Sequence, residues 1–257
     1  TLEIWATDPE ELEKSRQLLL GLAGDQPVRE ELFTIDWHFT SRGQGLTSVA
    51  FDEFADMDLL DEAYPGLTAG VNHFIQQFIA APETVLILQG PPGTGKTRLV
   101  RAILAALSKR KGDSARVLYT SDKRTLETDE IFVEFLTGEH DAFVVEDADH
   151  LLGARHSGNV DLHRFLTVAD GVVRAQGRKI IFTTNLPNVG DIDEALVRPG
   201  RCFAVLRMRP LAIDEALRLI ARLVPEEGAA AATAHALPAG VPAVTLAEVF
   251  SAIRDGE

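Results

Sequence analysis

The residues best suited to chemistry form a glycine-rich segment that ends in a lysine and a threonine. Residues Gly90–Thr97 read GPPGTGKT and match the pattern G-x-x-x-x-G-K-[ST] at every fixed position. The apolar segment Val85–Gln89 precedes them and the helical pattern Arg98–Leu107 follows, which is the context that a phosphate-binding loop requires. Glycines let backbone N–H groups wrap round a phosphate, and the next helix turns its positive end toward the anion. The segment therefore predicts binding of a nucleoside triphosphate.

Part of this loop supplies the predicted nucleotide ligands, which are Pro92, Gly93, Thr94, Gly95, Lys96 and Thr97. Lys96 is expected to reach the β- and γ-phosphates, and the hydroxyl of Thr97 to bind Mg²⁺. The alternative is a glycine-rich turn that carries a lysine by chance. The strand–loop–helix context disfavours it, so ATP and Mg²⁺ are the predicted cofactors.

Two carboxylates directly follow a second apolar strand, where Phe143–Val145 runs into Glu146 and Asp147. In a nucleotide-hydrolysing site one carboxylate orders the metal ion and the other polarises the attacking water. We assign the first role, as a metal ligand with Thr97, to Glu146 and the second to Asp147. The usual order is Asp then Glu, so we expect the shorter Asp147 to lie farther from the water and to slow hydrolysis. The alternative is a polar strand end at the surface.

An amide and two cations complete the candidate residues. Asn185 follows the apolar strand Lys179–Thr184 and is placed to hydrogen-bond the attacking water or the γ-phosphate. Arg198 and Arg201 flank a Pro-Gly pair and present guanidinium groups suited to bidentate contacts. A polar strand cap and a surface salt-bridge cluster are the alternative interpretations.

Together these segments resemble the AAA+ ATPases, and specifically the classical AAA group, over roughly residues 58–220. The resemblance implies that Gly90–Thr97 is the Walker A element, Glu146-Asp147 the Walker B element and Asn185 sensor 1. It also implies that Arg198 and Arg201 are arginine fingers that reach a neighbouring subunit's site. A lone subunit would lack that cation, so the active unit would be a homo-oligomeric ring, usually a hexamer in this family.

Within that group the chain looks most like the mitochondrial AAA translocase that handles the folded Rieske iron–sulfur protein. The shared features are the Glu-Asp order and a short insert, residues 121–136. That relative forms heptameric rings, which leaves hexamer and heptamer open. The chain differs in its N-terminal block, and it has no aromatic residue in 121–130, where a substrate-gripping loop is expected. Tyr64 lies where the family often packs the adenine and is either a contact of the base or a core residue.

The alternation of apolar strands with helical segments predicts an α/β fold, a P-loop AAA+ parallel five-stranded sheet flanked by helices. We expect three domains. Residues 1–56 form a small α+β domain for a substrate or partner, residues 57–208 the ATPase core, and residues 209–257 a reduced helical lid. The strand candidates of the core are Val85–Gln89, Arg116–Ser121, Ala142–Val145, Lys179–Thr184 and Phe203–Arg207.

The N-terminal block has its own pattern. Asp8 and Pro9 predict a helix start, while Phe33–Phe39 and Leu46–Phe51 predict two strands joined by a turn at Ser41–Gly45. A further short strand is predicted over 2–5, and Thr245 to Glu248 forms a capping box that opens a last helix.

The charge of the chain restricts its partners. Its 257 residues include 39 acidic and 25 basic side chains, and residues 1–80 alone hold 15 acidic against 4 basic ones. Nucleic acid is disfavoured there, because phosphate binding needs clustered Lys and Arg. The acidic block is a solvated surface or a docking face for a basic partner. A single cysteine, Cys202, and the lack of an apolar run of about 20 residues predict a cytoplasmic protein without a membrane span.

The leading hypothesis from the sequence is a Mg-ATP-dependent ring ATPase that remodels or translocates a protein substrate. The second is an ATP-controlled scaffold or switch that recruits an effector protein. A nucleic-acid motor is the third and is disfavoured by the charge. Continuous turnover stimulated by a protein supports the first hypothesis, assembly on ATP with little turnover the second, and stimulation by DNA or RNA the third.

Overall fold

The structure, a computed structural model, describes residues 8–23, 33–38, 46–51, 59–112, 115–153, 162, 165–166, 177–224 and 241–255. Its contacts divide the chain into two compact units, residues 1–30 and 31–257. The described element of the first unit is helix α1, Pro9–Ala23. The Asp8 carboxylate accepts hydrogen bonds from the backbone N–H groups of Glu10 and Glu11 at 2.8 and 2.9 Å, which confirms the predicted helix start. The strand predicted over 2–5 lies outside the described residues.

A seven-stranded sheet organises the second unit. Its strands are β1 (Phe33–His38), β2 (Leu46–Phe51), β3 (Val85–Gln89), β4 (Ala115–Thr120), β5 (Ala142–Val145), β6 (Lys179–Thr184) and β7 (Cys202–Arg207), in the spatial order β2-β1-β4-β5-β6-β3-β7. The five strands β4, β5, β6, β3 and β7 run parallel, which confirms the predicted five-stranded parallel sheet. This order brings the carboxyl ends of β3, β5 and β6 side by side.

The first two strands extend this sheet. Strand β1 pairs in parallel with β4, from Phe33 opposite Ala115 to Trp37 opposite Tyr119, and β2 pairs antiparallel with β1. Ile35 is 8% exposed and belongs to the same core as the central strands. The structure thus differs from the boundary predicted at residue 56, since its own division falls between residues 30 and 31. Alternating polarity predicts a half-buried strand, but it does not identify the sheet that the strand joins.

Helices pack on both faces of the sheet, and two further helices follow its last strand along the chain. They are α2 (Val71–Ala80), α3 (Lys96–Lys111), α4 (Lys123–Leu126), α5 (Glu130–Thr137), α6 (Asp149–Leu152), α7 (Ile213–Leu223) and α8 (Leu246–Asp255). Two short strands, β8 (Leu211–Ala212) and β9 (Ala243–Val244), form an antiparallel pair before α7 and α8. The backbone N–H of Thr245 donates to Glu248 at 2.6 Å, and that of Glu248 donates back to the Thr245 hydroxyl at 3.2 Å. These two bonds confirm the predicted capping box.

The central strands are buried on both sides, as their near-continuous apolar sequences indicate. In β3, Leu86 and Leu88 enter one core cluster while Val85 and Ile87 enter the other. Because the strands are buried, their ends have fixed positions. The polar residues that directly follow these ends are therefore also held in place. No helix among the described residues is both long and apolar enough to cross a bilayer. The predicted turn at Ser41–Gly45 lies outside the described residues.

Candidate nucleotide-binding site

The glycine-rich segment Gly90–Thr97 connects the buried strand β3 to helix α3, which confirms the predicted strand–loop–helix context. Gly93 and Gly95 have φ values of +79° and +90°, in the left-handed region that side chains disfavour. A Cβ on Gly95 would also lie 2.7 Å from Cδ2 of Leu246. Within the loop the Thr94 hydroxyl donates to the Pro91 carbonyl at 2.8 Å. The loop therefore has a fixed shape that only glycine permits at these positions.

Lys96 opens α3 and turns its ammonium back into the loop. Nζ donates to the carbonyls of Gly90 and Pro91 at 2.6 and 3.0 Å and to Oδ1 of Asn185 at 2.8 Å. Burial lowers the pKa of Lys96, and the nearby charges of Asp147, Asp149 and Glu146 oppose that shift. The buried ammonium is thus held by neutral oxygens, which a bound phosphate could replace.

Thr97 and Glu146 meet across the cleft from different elements. The Thr97 hydroxyl donates to Oε1 of Glu146 at 2.8 Å. The other carboxylate oxygen, Oε2, accepts a hydrogen bond from the Tyr119 hydroxyl at 2.5 Å. Burial raises the pKa of Tyr119, and the hydrogen bond to Glu146 raises it further, so this hydroxyl keeps its proton. The carboxylate is therefore oriented from both sides.

Asp147, the second carboxylate, is exposed to the cleft and has a φ of +50°. Its backbone N–H donates to the Thr183 hydroxyl at 3.1 Å, and its Oδ1 accepts from the Asn185 amide at 3.1 Å. Asn185 also accepts from Lys96. Lys96, Asn185 and Asp147 therefore form one hydrogen-bonded chain.

Asp149 holds Asn185, a member of this hydrogen-bonded chain, in place. Its role was not predicted from the sequence. Its Oδ1 accepts hydrogen bonds from the Thr184 hydroxyl and, at 2.7 Å, from the backbone N–H of Asn185. Tyr119 was missed as well. Tyr119 lies in the predicted strand Arg116–Ser121 and Asp149 opens α6, and only their position at the same sheet edge as Glu146 could have indicated their roles.

A cleft of about 470 Å³ brings most of the predicted residues together. From the sequence-predicted set it is lined by Pro92, Gly93, Gly95, Lys96, Thr97, Glu146, Asp147 and Asn185. Helix α8 closes one side with Leu246, Ala247 and Phe250. The Ala247 N–H donates to the Gly93 carbonyl at 3.0 Å, and the Arg98 guanidinium lies 4.4 Å from the Phe250 ring centroid. The C-terminal helix thus contacts the loop directly, which the sequence did not indicate.

The two arginines have different surroundings, and neither is among the described residues that line the cleft. Arg198 is exposed. Arg201 is 8% exposed, and its guanidinium donates to the carbonyl of Ala195 in the same chain. The structure therefore separates the pair, because one cation faces solvent while the other fixes a turn within its own subunit.

Tyr64 supports the loop from below as part of the core. It is 4% exposed, and its hydroxyl donates to the Gly95 carbonyl at 3.3 Å. Burial raises the pKa of Tyr64 to about 12. Of the two interpretations given above, the structure favours the core residue.

The oxygen groups of the site suit Mg²⁺ bound together with a nucleotide. This ion usually keeps several waters and takes one or two carboxylates besides phosphate oxygens. Thr97 and Glu146 supply such a hydroxyl and carboxylate at 2.8 Å from each other. No cluster of three His, Cys, Asp or Glu side chains that could hold a metal occurs in the described part of the chain. A site completed by the nucleotide's phosphates therefore fits these residues better than an all-protein metal centre.

A parallel sheet in which a buried inner strand leads through a glycine-rich loop into a helix defines a P-loop nucleotide-binding fold. Comparison with known families refines this class. Residues 86–210 match the family described as ATPase family associated with various cellular activities (AAA). Over these residues the chain is therefore similar to AAA ATPase domains, and this similarity supports ATP hydrolysis as its activity.

Similar proteins span several branches of this family. The chain is 36% identical over 149 residues to the 26S proteasome regulatory subunit 10B of Dictyostelium discoideum, covering 50% of this chain and 35% of that protein. It is 29% identical over 169 residues to a mitochondrial AAA-ATPase of Arabidopsis thaliana, covering 59% and 36%. It is 25% identical over 199 residues to a Bifidobacterium adolescentis protein named AAA ATPase forming ring-shaped complexes, covering 65% and 37%. The chain thus spans about a third of the length of these relatives.

Proposed function

We propose that the chain is a Mg-ATP-dependent ATPase that works in a homo-oligomeric ring and couples hydrolysis to remodelling or translocation of a protein substrate. The observation that carries this proposal is the convergence of Lys96, Asn185 and Asp147 in one hydrogen-bonded chain beside the Thr97–Glu146 pair. This is the set of groups needed to bind a triphosphate, orient a metal ion and activate a water.

Each residue has a role that follows from its position. Lys96 exchanges its carbonyl contacts for the β- and γ-phosphates, while Thr97 and Glu146 orient the metal that accompanies ATP. Asp147 is the exposed carboxylate and polarises the attacking water. Asn185 hydrogen-bonds to both Lys96 and Asp147. It therefore connects the residue that binds the phosphates to the residue that activates the water. Mg-ATP, when bound, supplies the scissile anhydride and a divalent charge.

Arg198 is the residue we propose to act in a neighbouring subunit. Its exposure supports this role, since a cation that works in trans must be reachable from outside its own chain. Arg201, also expected to act in trans, is buried against Ala195, and we propose that it holds the turn that presents Arg198. The name of the Bifidobacterium relative, which refers to ring-shaped complexes, supports assembly into a ring. We propose six or seven subunits, the two numbers that the resemblance to AAA proteins implies.

Two further parts of the chain have proposed roles. We propose that residues 209–257 serve as the small lid, because α8 contacts the loop through Ala247 and lines the cleft. We propose that the acidic N-terminal residues bind a protein substrate or effector. We propose a cytoplasmic location, which fits a chain whose single cysteine, Cys202, allows no internal disulfide.

An ATP-controlled switch is the second candidate. The feature that favours it is Asp147, whose side chain is one methylene shorter than glutamate and whose Oδ1 is already engaged by Asn185 at 3.1 Å. A carboxylate held back in this way would activate water slowly, so ATP would drive assembly with little turnover.

Nucleotide binding is tested with Lys96→Ala, compared with Lys109→Ala, an exposed lysine on the same helix. Binding of ATP is measured by calorimetry in Mg²⁺, and phosphate release is followed in the same preparations. We expect Lys96→Ala to lose both binding and release, and Lys109→Ala to behave like the wild type. Equal binding by the wild type and Lys96→Ala would overturn the assignment of the loop.

A further inference from the structure

Tyr119 reaches the site from a strand that carries none of the predicted ligands. It is the penultimate residue of β4, next to β5, and lies opposite Val144, two residues before Glu146. Its ring packs against the core cluster that lies under α3, while its hydroxyl donates to Oε2 of Glu146 at 2.5 Å. The ring is therefore fixed by the core, and only the hydroxyl takes part in the polar site.

The two carboxylate oxygens of Glu146 accept hydrogen bonds from residues on two different elements. Oε2 is bound by Tyr119 on β4, whereas Oε1 accepts from the Thr97 hydroxyl on α3 at 2.8 Å. Glutamate has one more rotatable bond than the aspartate usual at this position, so its carboxylate has more conformations to lose. A second hydrogen bond from a fixed donor removes most of that freedom before a metal arrives.

We propose that Tyr119 is a positioning residue that holds Oε2 of Glu146, so that Oε1 and the Thr97 hydroxyl face Mg²⁺ in a fixed arrangement. The proposal rests on the proposed function, because it takes Glu146 and Thr97 as the groups that orient the metal. Tyr119 is absent from the described residues that line the cleft, so its influence passes through Glu146. Partners of this kind typically change metal affinity by about tenfold or more when removed.

If Tyr119 positions Glu146, its substitution should change the Mg²⁺ dependence of ATP binding but not ATP binding in the absence of Mg²⁺. Tyr119→Phe removes the hydroxyl and keeps the ring, whereas Tyr119→Leu removes both. We expect Tyr119→Phe to bind ATP in EDTA as the wild type does. The Mg²⁺ concentration for half-maximal enhancement of ATP binding should rise about tenfold.

The experiment is a titration of ATP binding with Mg²⁺, followed by the fluorescence of a labelled ATP, on the wild type and both variants. Thermal unfolding of the same samples reports the packing of the ring. The KM for Mg²⁺ in phosphate release should rise in Tyr119→Phe, while kcat at saturating Mg²⁺ should change little.

The outcomes separate this inference from the proposed function. If the wild type requires Mg²⁺ and Tyr119→Phe shows the same Mg²⁺ dependence, Tyr119 has only a packing role and the inference is overturned. A loss of Mg²⁺ affinity confined to Tyr119→Leu would also overturn it, since the ring and not the hydroxyl would then matter. If the wild type binds no ATP under any condition, the proposed function itself fails, and the inference fails with it.

Discussion

At the scale of single residues, several polar side chains of the site hydrogen-bond to one another. Lys96 donates to three oxygens, Glu146 accepts from two hydroxyls, and Asn185 connects Lys96 to Asp147. Unpaired polar groups are costly when buried, so this pairing lets the site persist as a preformed cleft. A nucleotide must therefore replace existing hydrogen bonds. Its binding requires that the side chains of Lys96 and Asn185 exchange their present partners for the nucleotide.

Substitutions of Arg198 and Arg201 should differ in their effect on the free energy of unfolding. Arg201→Ala removes a buried guanidinium that donates to the Ala195 carbonyl and should lower the free energy of unfolding by about 2 kcal/mol. Arg198→Ala changes an exposed side chain and should alter it by less than about 0.5 kcal/mol. Urea unfolding of both variants measures the difference. Equal losses of stability would contradict the intrasubunit role of Arg201.

At the scale of elements, the sheet determines where the chemistry lies. The loop after β3, the carboxylates after β5 and Asn185 after β6 are neighbours because β6 lies between the other two strands. Strands β1 and β2 extend the opposite edge, next to β4. The strand that carries Tyr119 therefore has a partner on both sides, and its position depends in part on the N-terminal strands.

The membership of β1 in the sheet is tested through Ile35. Ile35→Ala removes a side chain from the main core cluster and should lower the free energy of unfolding by about 2–4 kcal/mol. The control is Leu12→Ala in α1, where the side chain is 43% exposed and a change below about 0.5 kcal/mol is expected. Chemical denaturation, followed by circular dichroism, compares them. An unchanged stability of Ile35→Ala would mean that β1 is not part of the core.

The start of α7 should respond to acid through Glu215. Its side chain accepts from Arg209 at 2.6 and 2.7 Å and from the Ala212 N–H at 2.7 Å. The hydrogen bond from Arg209 is the main reason that the pKa of Glu215 falls from 4.5 to about 2. A carboxylate with a lowered pKa stabilises the folded state above its unfolded pKa. That contribution is lost as the pH falls from 4.5 toward 2.

Glu215→Gln should therefore cost about 1 kcal/mol at neutral pH, and its difference from the wild type should shrink as the pH falls below 4.5. The free energy of unfolding at several pH values tests this. Asp214→Asn is the control, because its pair with Arg218 lies on the surface and both side chains are more than half exposed. A difference from the wild type that stays constant down to the lowest pH would contradict the account.

The sequence predicted those parts of the fold and site that lie close together along the chain. Gly90–Thr97 and Glu146-Asp147 were found because each motif and its strand are contiguous. Tyr119 and Asp149 were not, since their roles depend on which strands are neighbours and on a register that no local pattern records. The same limit explains why the strand over Leu46–Phe51 was predicted while its place in the ATPase sheet was not.

At the scale of the whole molecule, the proposed hydrolysis requires more than one subunit. The cleft supplies a phosphate loop, two carboxylates and a polar amide. The arginine among its described lining residues is Arg98, whose guanidinium lies over the Phe250 ring, whereas Arg198 and Arg201 are not among them. Arg198 lies exposed elsewhere on the same subunit, and a neighbouring subunit's copy could supply its charge to this cleft. Hydrolysis should therefore depend on assembly, as for enzymes whose arginine is donated in trans.

The most direct test measures ATP hydrolysis and oligomer mass together, with and without Mg-ATP, for the wild type and Asp147→Ala. Glu127→Ala, a change at an exposed carboxylate outside the cleft, serves as the control. The account predicts that the wild type forms six- or seven-subunit rings and releases phosphate steadily, while Asp147→Ala forms rings that retain ATP. Rings of the wild type that bind ATP without turnover would contradict the ATPase and leave the switch as the function.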